Sequence, residues 1–345
     1  NVVGMGYRAD SGPGAPSGSD GGCYGGIGGD DSADGTQDCI TYGSITAPVD
    51  LGSGGGTGYA HGGGAVILNI TGTTTLNGYI RNNGEVYGWG GSGGSVYLTT
   101  ATITGAGTID ADGGYNPGAG PPGGGGGRIS VILTGAGADF SSFTGTLHAF
   151  GKGGFQANED GAAGTVYYQS QPQGSTDGTL IIDNDNGDVA SGITTTINGT
   201  VSGTDVGAVI IRNTATLEMS GTLQTFTVTG DWTNQATQTI TAGTVIFDRA
   251  GAQAVTTATG TFFNIEVTNT GTLTFTDETA FNNFSDTTAD SGLVFNAGST
   301  YTISGSLTLN GGAVGDEVVL DSSDSVTRFT FDLTTGGTQT VTYVN

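Results

Sequence analysis

Runs of glycine alternate with short β-branched and aromatic segments through the first half of the chain, and this alternation most limits the possible folds. The 345 residues include 69 glycines, but no strict three-residue glycine period occurs, so a collagen triple helix is excluded. Segments such as 65–70 (AVILNI) and 129–133 (ISVIL) are too apolar for a disordered chain. Short strands with glycine-rich connections remain, and Gly, Thr, Asn and Ser are so frequent that we expect almost no α-helix.

The strands and glycine clusters repeat between residues 61 and 170. Four segments align every 30 to 37 residues, with equivalent positions at Val66, Val96, Ile129 and Val166. A second, weaker strand follows each of the first three segments, within 75–84, 103–114 and 143–154. Because repeats of this length cannot bury a core alone, they predict stacked coils in an all-β fold, namely a right-handed parallel β-helix (solenoid).

The glycines have a predicted role at the corners of these coils. A corner needs either a positive φ angle or a close approach of two backbones, and glycine tolerates both because it has no Cβ atom. Longer glycine-rich insertions, such as 113–127, are expected to bulge from one side of the stack.

Composition divides the chain into three predicted regions. Residues 1–60 form a Gly/Asp-rich loop segment, 61–170 the glycine-rich solenoid, and 171–345 a region of threonine-rich strands. In the last region strands recur every 10 to 20 residues, which suits a continuing solenoid or a β-sandwich. We favour the solenoid because the spacing stays short and no long crossover is visible. Within 262–269, Phe263, Ile265 and Val267 are expected to face one side of the strand.

The charge balance excludes several partners. The formal net charge is −24, with seven basic residues, of which Lys152 is the only lysine. Nucleic acids and anionic membrane surfaces require a cationic face, which this chain cannot supply. No stretch of 18 apolar residues occurs, so we expect no membrane span. Such acidity favours solubility and divalent cations.

Cys23 and Cys39 are the two cysteines of the chain, and they flank a loop of glycines and aspartates. Their proximity in a chain that otherwise avoids cysteine predicts a disulfide and an oxidising compartment, with two free thiols as the alternative. Closing a loop of this size contributes roughly 3 kcal/mol in the chain-entropy model.

Two acidic segments are predicted calcium sites, since oxygen ligands at alternate positions can wrap one cation where a glycine permits a sharp turn. The first lies inside the cysteine loop, with ligands at Asp30, Ser32, Asp34 and Asp38, although Thr41 replaces the usual bidentate glutamate. The second has ligands at Asp183, Asp185 and Asp188, with its glycine one place out of register. In both places a solvated acidic turn is the alternative.

The glycine repeats carry a family resemblance. The segments GGSVYLT, GTIDADGG and GGGGGRISV resemble the glycine-rich repeats of very large secreted bacterial surface proteins. Residues 230–234 (GDWTN), 242–255 and 261–269 are similar to repeats of adhesin-like proteins. The resemblance covers roughly residues 52–345 and implies an extracellular β-solenoid of structural or adhesive type. It supplies no catalytic residues.

These observations predict a structural subunit of an extracellular cell-surface filament or sheath that self-associates through β-strand edges. Both 1–7 (NVVGMGY) and 338–345 (TQTVTYVN) are apolar, β-prone segments that could complete a neighbouring subunit. Because the chain starts at Asn1 without an initiator methionine, we expect a mature or trimmed segment of a longer protein.

An adhesin or glycan-binding segment of a giant surface protein is the alternative. Aromatic residues that could stack on sugar rings cluster within about two repeats, at Tyr59, Tyr79, Tyr87, Trp89, Tyr97 and Tyr115. A polysaccharide-degrading β-helix enzyme is a third possibility. However, no nucleophile motif occurs in the sequence, and His148 is expected on an outward-facing rung. We therefore expect that the protein is not an enzyme. Three sequons allow glycosylation, at Asn69, Asn198 and Asn283.

Overall fold

The computed structural model is all-β, and no helix occurs in the residues that it describes. Those residues are 1–31, 37–56, 58, 60–115, 121–153, 159–187, 189, 192–221, 224–258 and 260–345. The chain forms two compact units. Unit 1 comprises Asn1–Gly203 with Ile211–Leu217, and unit 2 comprises Thr204–Ile210 with Glu218–Asn345. The division into regions 1–60, 61–170 and 171–345 stays a prediction.

Unit 1 contains the first eleven strands. They are β1 (Gly43–Ser44), β2 (Ala65–Thr75), β3 (Tyr79–Arg81), β4 (Ser95–Thr104), β5 (Thr108–Asp110), β6 (Arg128–Leu133), β7 (Thr146–His148), β8 (Thr165–Gln169), β9 (Thr179–Asp183), β10 (Thr195–Ile197) and β11 (Val201–Ser202). One sheet has the order β2-β4-β6-β8-β9 and a second the order β3-β5-β7, while β1 pairs with β11. Among the described residues of unit 1, these strands pair in parallel except β8 with β9, which is antiparallel.

The register of the first sheet confirms the repeat alignment. Val66 lies opposite Val96, Val96 opposite Ile129, and Ile129 opposite Val166. The weaker second strands are also confirmed, because β3, β5 and β7 pair with one another in the same order. Side chains from both sheets form one core, in which Val96, Ile109 and Ile129 are fully buried.

The glycine clusters form a hydrogen-bonded array of extended segments rather than corners. Three successive amides donate to carbonyl groups of three different segments: Gly124 to Gly114 (2.8 Å), Gly125 to Gly22 (3.0 Å) and Gly126 to Ala162 (2.9 Å). The next amide, that of Gly127, returns to the first of these segments at Ala111 (2.7 Å). A repeat of three residues per turn is the geometry of a polyproline II helix, which has no internal hydrogen bonds and here pairs laterally instead.

Close backbone approach is the reason for glycine in this array. A Cβ atom added at Gly113, Gly124 or Gly164 would overlap a backbone carbonyl oxygen of a neighbouring segment, and none of the three has a positive φ. Of the two predicted roles of glycine, close approach therefore applies inside the clusters. Positive φ occurs instead at isolated turn glycines such as Gly105 (103°) and Gly137 (70°).

One sequence-based expectation for the glycine-rich segments is corrected by this array. Gly123–Gly127 are buried within it rather than bulging from the stack, while 116–120 lie outside the described residues. Within the predicted loop segment 1–60, residues 21–29 and 52–56 are buried and donate and accept backbone hydrogen bonds in the array. The physical reason is that backbone groups without side chains can satisfy one another laterally.

The remaining strands belong to unit 2 or lie at its boundary. They are β12 (Asp205–Val206), β13 (Val209–Arg212), β14 (Thr216–Met219), β15 (Thr225–Val228), β16 (Trp232–Asn234), β17 (Thr237–Ile240), β18 (Thr244–Phe247), β19 (Gln253–Thr256), β20 (Thr261–Val267), β21 (Thr272–Phe275), β22 (Ala280–Asp286), β23 (Gly292–Phe295), β24 (Thr300–Asn310), β25 (Val319–Ser322), β26 (Thr330–Leu333) and β27 (Thr338–Thr342).

Unit 2 is built from two parallel sheets. One has the order β12-β15-β18-β20-β22-β24, with β26 and β27 both pairing with β24, and the other has the order β16-β19-β21-β23-β25. Sandwiches consist of antiparallel sheets, so the parallel pairing agrees with the solenoid-like class and not with the sandwich alternative.

Aromatic side chains fill the core of unit 2. Phe275 stacks on Phe295 with ring centroids 5.2 Å apart, and Trp232 packs on Phe262 at the same distance. Phe262, Ile265 and Val267 are buried whereas Phe263 is half-buried, so the prediction that Phe263 shares a face with Ile265 and Val267 is wrong. Strict alternation fails because both Phe262 and Ile265 point inward, and this break shifts the face by one residue.

Candidate functional site

An open sheet edge bounds unit 1 at β2. In the described part of the chain this strand pairs with β4 alone, and Ile67 on its outer face is 56% exposed. Val66 and Leu68 are only half-buried, whereas their partners Val96 and Leu98 in β4 are fully buried. The core of unit 1 is therefore incompletely covered at this edge. A sheet that lacks a further strand leaves the side chains of its last strand partly exposed.

A second open edge bounds unit 2. Leu309 of β24 is 1% exposed, but its partner Val341 in β27 is 48% exposed. Val319 in the outermost strand of the other sheet, β25, is 44% exposed. Exposed apolar side chains on strands with one unpaired edge are a template for pairing with another chain.

The N-terminal segment is engaged within its own chain. The amide of Val2 donates to the Arg81 carbonyl oxygen (2.9 Å), and that of Gly4 donates to Asn83 (3.1 Å). The amide of Gly64 in turn donates to Val2 (3.1 Å). Residues 1–7, predicted as one of two donor segments, thus form hydrogen bonds within their own chain, while the C-terminal β27 lies at an open edge.

The predicted disulfide is confirmed between Cys23 and Cys39. Their Cα atoms are 6.0 Å apart, and both side chains are buried with Ile27, Ala162 and Ile193. The bridge closes the chain between residues 23 and 39, and the Gly28 amide within this loop donates to Cys23 Sγ (3.0 Å).

The first predicted calcium loop is described only in part. Ser32 and Asp34 lie outside the described residues, and Asp30 is half-buried. Asp38 is held by Ser17, whose amide donates to Oδ1 (2.9 Å) and whose hydroxyl donates to Oδ2. These bonds lower the pKa of Asp38, because hydrogen bonds to a carboxylate favour its charged form.

In the second predicted calcium segment, the carboxylate of the first predicted ligand, Asp183, already accepts hydrogen bonds from the protein. Arg212 Nε lies 2.8 Å from Asp183 Oδ2, and Asn213 Nδ2 donates to Oδ1 (3.0 Å). Asp185 is exposed, and Asp188 lies outside the described residues. No group of three or more His, Cys, Asp or Glu side chains that could hold a metal occurs in the described ranges, and calcium stays a prediction.

The three sequons differ in their surroundings. Asn69 is exposed on the edge strand β2. Asn198 Nδ2 donates to Thr41 Oγ1 (3.2 Å), and Asn283 Nδ2 donates to Asn264 Oδ1 (2.7 Å). Of the three amide nitrogens, that of Asn69 is the most accessible to a glycosylating enzyme.

A charged cluster that the sequence analysis missed lies on the outer face of β3, β5 and β7. Strand pairing places Arg81, Asp110 and His148 opposite one another. The signal was present, because 78–84 (GYIRNNG), 107–113 (GTIDADG) and 145–151 (GTLHAFG) align on their terminal glycines. His148 does lie on an outward rung, with 21% of its side chain exposed.

Asp112 links two basic side chains in this cluster. His148 Nδ1 lies 2.9 Å from Oδ1, to which the Phe150 amide also donates (2.9 Å), and Lys152 Nζ lies 3.1 Å from Oδ2. The ring of His148 stacks on that of Phe150, with centroids 4.6 Å apart. Both oxygens of Asp112 are therefore occupied by donors from its own chain.

Asp110 is different, because one of its oxygens has no donor. Its Oδ2 lies 3.3 Å from Arg81 Nε, whereas Oδ1 is buried without a hydrogen-bond partner among the described residues. The residue is only 6% exposed. Burial raises the pKa of Asp110, and the charge of Asp112 adds to this effect, while His148 and Arg81 oppose it.

A cleft of about 340 Å³ opens over this cluster, and we call it the charged cleft. Its lining includes Arg81, Asp110, Lys152, Val86 and Tyr115. It combines hydrogen-bond donors and acceptors with apolar surface, which is the usual composition of a small-molecule site.

Comparison with known proteins adds no relative. No family model matches the chain, and neither a curated protein nor a solved structure is significantly similar to it. In the part of the chain that the structure describes, no helix is long and apolar enough to cross a membrane.

Proposed function

We propose that this chain is a structural subunit of an extracellular filament or sheath, which assembles by pairing the open edge of one copy with that of the next. The observation that carries the proposal is that the outermost strands of both units, β2 and β27, leave apolar side chains exposed. In each unit the core-facing side chains of the neighbouring strand, β4 or β24, are buried. A strand added at the open edge would therefore complete an existing core.

Parallel, in-register pairing makes such extension geometrically simple. In unit 2 successive strands pair in register, as Val245 with Ile265 and Ile265 with Phe284 show, apart from one shift between β22 and β24. We propose that this pairing belongs to a right-handed parallel β-helix, whose rungs a second copy could continue. Solenoids without polar end caps are prone to end-to-end association.

The disulfide and the charge support an extracellular location. Disulfides persist in oxidising compartments such as the cell surface, and the Cys23–Cys39 bridge is buried beside the glycine array. A net charge of −24 opposes non-specific aggregation, so association would be directed to the apolar edges.

Assembly can be tested by light scattering and electron microscopy over a range of protein concentrations. The wild-type chain is expected to form filaments. Val341→Lys places a charge on the exposed end of unit 2, where it would be buried on assembly, so we expect at least a tenfold higher concentration for filament formation.

Val49→Lys is the matched control, since Val49 is 51% exposed but lies on no strand. It should leave assembly unchanged, and thermal unfolding should confirm that both variants are folded. A wild-type chain that stays monomeric at every concentration, or a Val341→Lys chain that assembles like wild type, contradicts the proposal.

A further inference from the structure

We propose that the charged cleft binds an uncharged saccharide, whose hydroxyl groups pair with Asp110, Arg81 and Lys152 and whose ring packs on Tyr115. This site lies entirely in unit 1 and is separate from the open edges, so the inference does not depend on filament assembly.

The carboxyl group of Asp110 identifies the kind of group that is recognised. Asp110 lines the cleft, and its Oδ2 lies 3.3 Å from Arg81 Nε, a long contact that leaves this oxygen able to accept a hydrogen bond from a ligand. A hydroxyl group suits this site, because it donates a hydrogen bond to a carboxylate oxygen and can accept one from the N–H groups of Arg81 or Lys152.

Charge balance argues against an ionic ligand. Arg81 and Lys152 are each paired with a carboxylate, so the cluster offers no unbalanced positive charge for an anion. The same two cations oppose the binding of a metal ion at Asp110. They nevertheless keep donors for neutral oxygens, because Arg81 uses Nε and Lys152 one of its three N–H groups in these pairs.

Apolar surface beside these groups fits a sugar ring. Tyr115 is 40% exposed and lines the cleft together with Val3 and Val86. A pyranose presents hydroxyl groups at its rim and C–H groups on its face, and aromatic rings pack against such a face. The volume of about 340 Å³ lies at the lower end of the range for small-molecule sites.

The test is binding of the full chain to arrayed maltohexaose, cellohexaose, mannohexaose and chitohexaose, with hexagalacturonate as the charged comparison. We expect binding to at least one uncharged oligosaccharide. Asp110→Ala removes the acceptor and Tyr115→Ala removes the packing surface, and each is expected to weaken this binding at least tenfold.

Two controls match these variants. Asp248→Ala removes an exposed carboxylate in unit 2, and Tyr87→Ala removes an aromatic ring that is 66% exposed and does not line the cleft. Both should bind like wild type. If Asp110→Ala fails to fold, Tyr115→Ala decides, since its side chain lies at the surface. Binding to none of the five probes, preference for hexagalacturonate, or binding that Tyr115→Ala leaves unchanged overturns the proposal.

Discussion

Gly124→Ala and Gly78→Ala should change stability in opposite directions. At Gly124, which is buried in the glycine array, a Cβ atom would overlap the Gly91 carbonyl oxygen. At Gly78, which is exposed before β3, a Cβ atom would meet nothing within 4 Å. Neither glycine has a positive φ, so backbone strain does not enter the comparison.

The magnitude at Gly124 follows from its contacts. Its amide donates to Gly114 (2.8 Å) and its carbonyl accepts from the Lys152 amide (3.1 Å), so a shift that relieves the overlap weakens both bonds. Overpacking together with two weakened hydrogen bonds lowers the free energy of unfolding by roughly 3–5 kcal/mol. Gly78→Ala should instead raise it by about 0.4–1 kcal/mol, because alanine restricts the unfolded chain.

Thermal unfolding followed by circular dichroism measures both effects. A loss of roughly 3 kcal/mol corresponds to a midpoint lower by about 6–12 °C for a unit of this size. If Gly124→Ala is as stable as wild type, or if Gly78→Ala is equally destabilised, close backbone approach is not the reason for glycine in the array.

Three further predictions concern unit 1. Cys39→Ser should lower the free energy of unfolding by roughly 3 kcal/mol, and a reducing agent should destabilise wild type but not the variant in urea unfolding. Burial raises the pKa of Tyr24 to about 12. The contribution of this phenol to the free energy of unfolding is therefore complete below pH 10 and is lost as the pH rises towards 12. Tyr24→Phe should reduce this alkaline loss of stability by about 3 kcal/mol, measured by urea unfolding from pH 9 to 12. A residual alkaline loss is expected from Tyr42, whose pKa burial also raises. Arg128 is 1% exposed and donates from Nε to the Tyr42 carbonyl (2.9 Å) and from Nη1 to Thr165 Oγ1 (3.0 Å); Arg128→Lys cannot make both bonds and should cost roughly 1–3 kcal/mol in the same assay.

Side-chain patterns predicted the strands of the fold. Val66, Val96, Ile129 and Val166 were aligned correctly because each follows a glycine cluster and begins a β-branched run. The disulfide was equally predictable, since the chain contains only two cysteines. These features are local, so one sequence contains the information that they require.

The glycine array and the charged cleft were not predictable in the same way. The partners of Gly124–Gly126 come from three different segments, and glycine has no side chain whose pattern could identify them. In the charged cluster beneath the cleft each repeat contributes a different residue, namely Arg81, Asp110 and His148, so no repeated motif marks the site. Only the shared flanking glycines could have indicated that these residues lie side by side.

Hydrogen exchange at the backbone amides of β2 and β27, measured as a function of protein concentration, tests the assembly proposal most directly. If the open edges pair between copies, these amides become protected as filaments form, while the already paired amides of β6 change little. Filaments in which β2 and β27 exchange as fast as in the dilute protein would contradict assembly through the strand edges.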